Sequence, residues 1–326
     1  MTPNDPPRLD IEVLELPAGA TEADWHDTVT STSLRDTAST GAGPALRSSG
    51  RCKNAGGEVP VVGSLDLVRR LGVLVESVHA VVYFAPEPQE GYAELGLRGY
   101  WRGYFASRAA ALGPVGPELV TALFGGFAPA MVARALPAVW TLASPEQVRA
   151  ARLAGATLAL RRLLGDEHDM TVAAAAALTG RCVAALPLPG RPMAAAQAAV
   201  ARPVDPLAAL WHDCTVLREH RGDGHLAAVA VAGLVWPEPH LLHGSAVDPR
   251  QQEHRGWDDE SWRRAADRVR GRDLRAVEIT TDRLAAPAYD VLAVNERREL
   301  VGLLEPLARA ASLELPYPNA MGLPPL

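Results

Sequence analysis

The sequence has little cysteine, almost no lysine and few aromatic rings. Its three cysteines, Cys52, Cys182 and Cys214, are far apart, odd in number and in no metal-type spacing, which argues against a disulfide framework or a zinc cluster and fits a reduced cytoplasm. Only Lys53 among the 32 basic residues is a lysine, and aromatic residues make up 5% of the chain. No run of about 18 uncharged apolar residues occurs, so no membrane span is expected. The opening MTPNDPPRLDIEVLELP lacks a positive region followed by an apolar stretch, so no signal peptide is expected either. GxxxxGK[ST], GxGxxG, HExxH and GxSxG are all missing, and Gly125-Gly126 and Gly244-Ser245 do not replace them; phosphate cradles, zincin sites and nucleophile elbows therefore lose their sequence support. The net charge of -6 opposes contact with nucleic acid or an anionic membrane unless a local basic patch forms, and none dominates the chain.

What remains is an ordinary globular balance, 48% apolar and 21% charged over 326 residues, a length that suggests two packed units. Abundant Ala, Leu, Arg and Glu favour helix, because these side chains lose least on entering one. The expected class is mainly α, a multi-helix bundle. Residues 1–62, rich in Ser, Thr and Gly without a lasting apolar period, read as a flexible or poorly ordered extension, or as the product of a misassigned start codon. The strand signal is confined to 59–62.

From Leu65 onward Leu67, Leu71, Leu74, Val75 and Val78 recur at helical spacing. Further helices are expected over 89–112, ended by Gly113-Pro114, and over 117–136, between Pro117 and Pro137. Ser144-Pro145-Glu146-Gln147 is a capping box that starts a helix running to Leu164. Helices over 169–185, 194–200 and 205–234 follow. A boundary near 236–240 separates a helical domain, 63–238, from a C-terminal module, 239–326. That module has a helix-turn-helix rhythm: a short helix at 247–254, a turn at Gly256-Trp257, and a second helix opened by Asp258-Asp259-Glu260. A last helical segment spans 280–313, interrupted at Pro287 and Pro306.

The segment 211–225 concentrates polar groups and glycine within an apolar helix. Arg218, Gly222 and His225 share one face, and His212, Glu219 and Asp223 a neighbouring one. Two glycines there cost about 1 kcal/mol each relative to Ala, so a close contact or a ligand should compensate. Two readings stand side by side: a pocket for a small polar ligand, and a buried polar network that fixes helix packing. The candidate ligand-binding residues are His79, Tyr83, Arg218, Glu219, His220, Asp223, His225 and His243. His79 and Tyr83 share a helical face that can meet the long helix. His220 and His225 are about 140° apart on a regular helix, so a common site requires Gly222 and Gly224 to distort it. This spacing matches no metal pattern, and no metal is expected. Tyr100, Tyr104 and Arg108 form a stripe that reads more readily as core packing than as a binding surface. Over 251–283, eight Arg are balanced by eight Asp or Glu; Arg263, Arg264, Arg268 and Arg270 are the candidate DNA contacts, and duplex binding should be weak.

Several long segments, among them GLRGYWRGYFASRAAALGPVGPE, LWHDCTVLREHRGDGHLAAVA, RGWDDESW and LPYPNAMGLP, resemble the actinobacterial SalK-like helix-turn-helix family over residues 65–326. The resemblance implies a winged-helix-like C-terminal module. The wing is missing or reduced here, since residues 270–274 lead almost directly into RAVEITTDRL. The expected function is a small-molecule-binding, regulator-like protein with weak or lost DNA binding; a homodimer is among its expected assemblies. The alternatives are an enzyme of specialised metabolism using His220, His225 and Glu219, and a purely structural interaction protein. The identity of any ligand or cofactor cannot be read from the sequence.

Overall fold

The computed structural model describes residues 62–242 and 250–326, all within one compact unit. The extension expected over 1–62, the strand expected at 59–62 and His243 lie outside the described residues, apart from Val62, which opens the first helix. Among the described residues there is no β-strand, so the mainly α class holds.

The described residues start with α1 (Val62–His79) and the single turn α2 (Val81–Phe84). The helix expected over 89–112 is two helices, α3 (Pro86–Glu94) and α4 (Tyr100–Ala109). Likewise 117–136 divides into α5 (Pro117–Phe124) and α6 (Pro129–Ala133). The second break falls on Gly125 and Gly126, at φ +57° and +66°, where a helix needs about -63°. A Cβ on Gly125 would run into Leu226 and the Trp236 ring, and one on Gly126 into the His240 ring. Only glycine permits both this backbone and this approach.

Next come α7 (Pro145–Leu164), α8 (Asp169–Ala184), α9 (Pro192–Ala198) and α10 (Pro206–Val231). The capping box at α7 is complete, with Gln147 N donating to Ser144 Oγ and Ser144 N to Gln147 Oε1. Asp205 caps α10 by accepting from Ala208 N at 2.9 Å. α10 is packed by α1, α7, α8, α9 and α14 (Arg275–Ala285), so it has buried residues all round. Two cores flank it. One joins Leu71, Leu74, Leu160, Leu210, Leu300 and Leu304; the other joins Tyr92, Phe105, Phe127, Leu136 and Met193. Each fully buried Leu contributes roughly 1.5–3 kcal/mol.

The C-terminal part consists of α11 (Glu238–Leu242), α12 (Gln251–His254), α13 (Asp259–Arg268), α14 and α15 (Val294–Ala311). Asp258 caps α13 by accepting from Ser261 N at 2.8 Å. α12, the turn and α13 follow the expected helix-turn-helix order. Between α13 and α14 the six residues 269–274 pass from helix to helix with no hairpin. The expected break at Pro306 is not there: α15 runs through it. The break at Pro287 is a 3-10 turn, Ala286–Tyr289.

Candidate functional site

A cavity of about 450 Å³ opens between α1, α4, the glycine loop 125–127, α10 and the C-terminal tail. This lies within the range of roughly 300–1,000 Å³ in which small molecules are usually held. Its apolar wall is aromatic. Tyr100, Trp101, Tyr104, Phe124 and Phe127 pack ring against ring, with centroids 4.9–6.4 Å apart. The tail residues Ala320–Pro324 close one side.

The adjoining wall is charged. Arg108 Nε and Nη2 donate to the two carboxylate oxygens of Glu219, both at 3.0 Å. Arg218 donates to Glu219 at 2.9 Å and to Glu76 at 3.0 Å. Burial opposes the charge on Glu219, but Arg108 and Arg218 outweigh it and hold the carboxyl far below the usual carboxylate range. Arg69 and Arg221 grip Asp282, which is fully buried. Of the five arginines that line the cavity, four are thus paired with carboxylates.

The fifth is Arg255, in the turn between α12 and α13. Its Nε donates to Gln251 Oε1 at 3.1 Å, its Nη2 to Ala320 O at 3.0 Å, and its guanidinium lies 4.4 Å from the centre of the Phe127 ring. All three partners are uncharged. Burial pushes its pKa down; Tyr104 and Tyr100 oppose that shift, while the like charges of Arg108 and Arg218 add to it. The same field acts on Tyr104. Burial would raise that phenol, yet Arg108, Arg255 and Arg218 together bring it below the ordinary tyrosine value.

The cavity brings together five of the expected ligand-binding residues, Tyr83, Arg218, Glu219, Asp223 and His225. Asp223 accepts from Ala194 N at 3.0 Å at the start of α9 and is pushed up to about 6, chiefly by burial. His225 Nδ1 lies 3.2 Å from Thr281 Oγ1. His79 stands behind the wall rather than in it. Its Nδ1 meets Thr215 Oγ1 at 3.0 Å and its Nε2 meets Tyr83 OH at 3.2 Å. Because the Thr215 hydroxyl already donates to Trp211 O, Nδ1 is the ring donor and the imidazole is neutral. Burial first, then Arg152, hold it well below the usual histidine value.

His220 does not join this group. α10 is unbroken through Gly222 and Gly224, so the distortion that would have swung His220 and His225 together is not present. His220 is buried away from the cavity wall. Burial and Arg191 lower it to about 4. The two glycines have different reasons. At Gly224 a Cβ would collide with the Arg191 guanidinium, which bridges His220 O and Leu284 O. At Gly222 a Cβ would meet only Glu219 Oε2, at 3.7 Å, so this glycine keeps cavity space open.

Tyr100, Tyr104 and Arg108, which read from the sequence as a packing stripe, all line the cavity. Their spacing was the available signal. Arg255 offered none, because nothing local marks a turn residue for a distant pocket. Among the described residues no group of three His, Cys, Asp or Glu could hold a metal ion, and no helix is long and apolar enough to cross a membrane.

A family model described as a helix-turn-helix family matches residues 68–315, about three quarters of the chain. The chain belongs to this helix-turn-helix family. No curated protein and no solved structure matches it.

The helix-turn-helix protein exposes all four candidate DNA contacts on or beside α13, but three are already engaged. Arg264 pairs with Glu260 at 2.7 Å, Arg270 with Asp267 at 3.1 Å, and Arg268 with the buried Glu238. Arg263 has no ion pair among the described residues. The turn before α13 is fastened to the glycine loop: Ala128 N donates to Arg255 O at 2.9 Å, and Trp257 Nε1 to Gly126 O at 2.8 Å.

Proposed function

We propose that this helix-turn-helix protein is a small-molecule-binding, regulator-like protein in which occupancy of the 450 Å³ cavity sets the placement of α12, the turn and α13. The observation that carries the reading is shared construction. The turn supplies Arg255 to the cavity wall, and the loop that forms another part of that wall holds the turn by two hydrogen bonds. A ligand that binds one arrangement of this wall better than another shifts the arrangement by its differential affinity. Direct contact of α13 with duplex DNA is weak, because its arginines are balanced by acidic neighbours. A reduced cytoplasm suits the buried thiols Cys182 and Cys214. An enzyme built on His220, His225 and Glu219 draws less support, since His220 lies off the cavity and Glu219 is clamped by two guanidiniums.

Native mass spectrometry of protein purified from its own host tests the reading. The expected result is a retained small molecule that is released on denaturation. A bare chain, together with no thermal shift from any fraction of a host metabolite extract, would remove it.

A further inference from the structure

The arginines of the cavity are not all paired. Arg108 and Arg218 share Glu219 and Glu76, Arg69 and Arg221 share Asp282, and Arg221 also reaches Glu278 at 3.5 Å. Arg255 faces this group with no carboxylate of its own among the described residues, and only two of its five N–H groups donate to protein acceptors, through Nε and Nη2. A guanidinium held against aromatic rings with no carboxylate partner keeps N–H donors that an anion can take up in charge-assisted hydrogen bonds. The wall beside Arg255 is Phe127, Tyr100, Tyr104 and Trp101, which offers flat apolar surface and phenol hydroxyls but no negative charge.

Resting on the reading of this cavity as a ligand site, we infer that its ligand is an aromatic carboxylate whose carboxylate is received by Arg255. The planar fork of Arg255 matches a carboxylate in a bidentate manner, which a point charge could not do as well. The rings of Tyr100, Trp101 and Tyr104 take the apolar body by offset or edge-to-face stacking. Gly222, open on the α10 side, leaves room for that body. Because Arg255 also donates to Gln251 in α12 and to Ala320 in the tail, an anion that recruits its free N–H groups acts directly on the helix-turn-helix segment. Selection is therefore by charge: a neutral isostere loses the ionic partner, and a cationic one meets the guanidinium of Arg255.

Isothermal titration with 2-naphthoate, 2-naphthamide and 2-naphthylmethylamine tests this on the full chain. The acid should bind at least tenfold tighter than the amide, and the amine should not bind. Arg255→Gln should abolish the preference, bringing acid and amide within about twofold, while Arg255→Lys, which keeps the charge and loses the fork, should retain part of it. Arg263→Gln, on exposed α13, should change nothing. Circular dichroism melts check that each variant is folded. Equal binding of acid and amide, or a preference that survives in Arg255→Gln, would overturn the inference while leaving the cavity a ligand site. No binding by any of the three at millimolar concentration also overturns it; the reading beneath it is then decided separately by the mass spectrometry.

Discussion

Arg108 on α4 and Glu219 on α10 lie 111 residues apart in the chain and meet through two parallel hydrogen bonds of 3.0 Å, with both side chains buried. This pair ties the aromatic wall of the cavity to its charged wall. Removing one member of such a pair leaves an unpaired buried charge and costs about 3–5 kcal/mol, whereas replacing both by apolar residues costs far less.

Glu219→Leu should therefore lower unfolding free energy by about 3–5 kcal/mol, since it strands Arg108 and leaves Arg218 only Glu76. Arg108→Met combined with Glu219→Leu should recover most of that loss. Urea denaturation of the two single variants and the double variant measures the coupling. A double variant whose loss equals the sum of the singles would show that the two groups act independently.

The two glycines of α10 should respond with opposite signs. Gly222→Ala adds a methyl group against open space and gains helix propensity, stabilising by up to about 1 kcal/mol; it should also weaken binding of 2-naphthoate by crowding the cavity. Gly224→Ala drives its Cβ into Arg191 and Leu284 and should destabilise by about 1–3 kcal/mol. Thermal melts of both variants decide this, and equal shifts would refute the assignment.

Asp223 and His220 should make opposing contributions to stability across mildly acidic pH. Burial raises Asp223 to about 6, so between about pH 4 and 6 the folded state keeps a proton that the unfolded state has released, and this contribution falls as pH rises. Burial and Arg191 lower His220 to about 4. Between that value and about 6.5 the unfolded state holds a proton that the folded state does not, and this contribution grows as pH rises. Asp223→Asn should therefore steepen the rise of stability over pH 4–6.5, and His220→Leu should flatten it. Urea midpoints at pH 4.5, 5.5 and 6.5 give the slopes; a His220→Leu curve parallel to wild type would contradict the buried neutral imidazole.

Duplex DNA should bind no tighter than roughly 10⁻⁴–10⁻⁶ M at physiological salt. Each phosphate contact made by Arg264, Arg268 or Arg270 competes with an existing ion pair. Arg268→Ala should act more on stability than on DNA, because it removes the partner of buried Glu238. Fluorescence anisotropy with genomic fragments measures this, and nanomolar sequence-selective binding would reverse the ranking.

The sequence by itself determined the helical class and the starts of the best-marked helices. Ser144 with Gln147 caps where its spacing placed it, because a cap is a contact within four residues and needs no tertiary help. It also marked 211–225 as the unusual segment, since polar groups and glycine in an apolar helix require a reason. Tertiary structure alone decided which reason. Helices expected over 89–112 and 117–136 were broken at Gly96, Gly99, Gly125 and Gly126, whose positive φ turns the chain in a way that periodicity does not encode. His220 and His225, both candidates by residue type, parted to different sides of a regular helix. Arg255 became a cavity residue only because the 125–128 loop holds its turn in place, a contact across more than 120 residues that no local pattern specifies. Local energies fix where a helix begins; whether its polar face meets a partner, a cavity or another helix depends on packing across the whole chain.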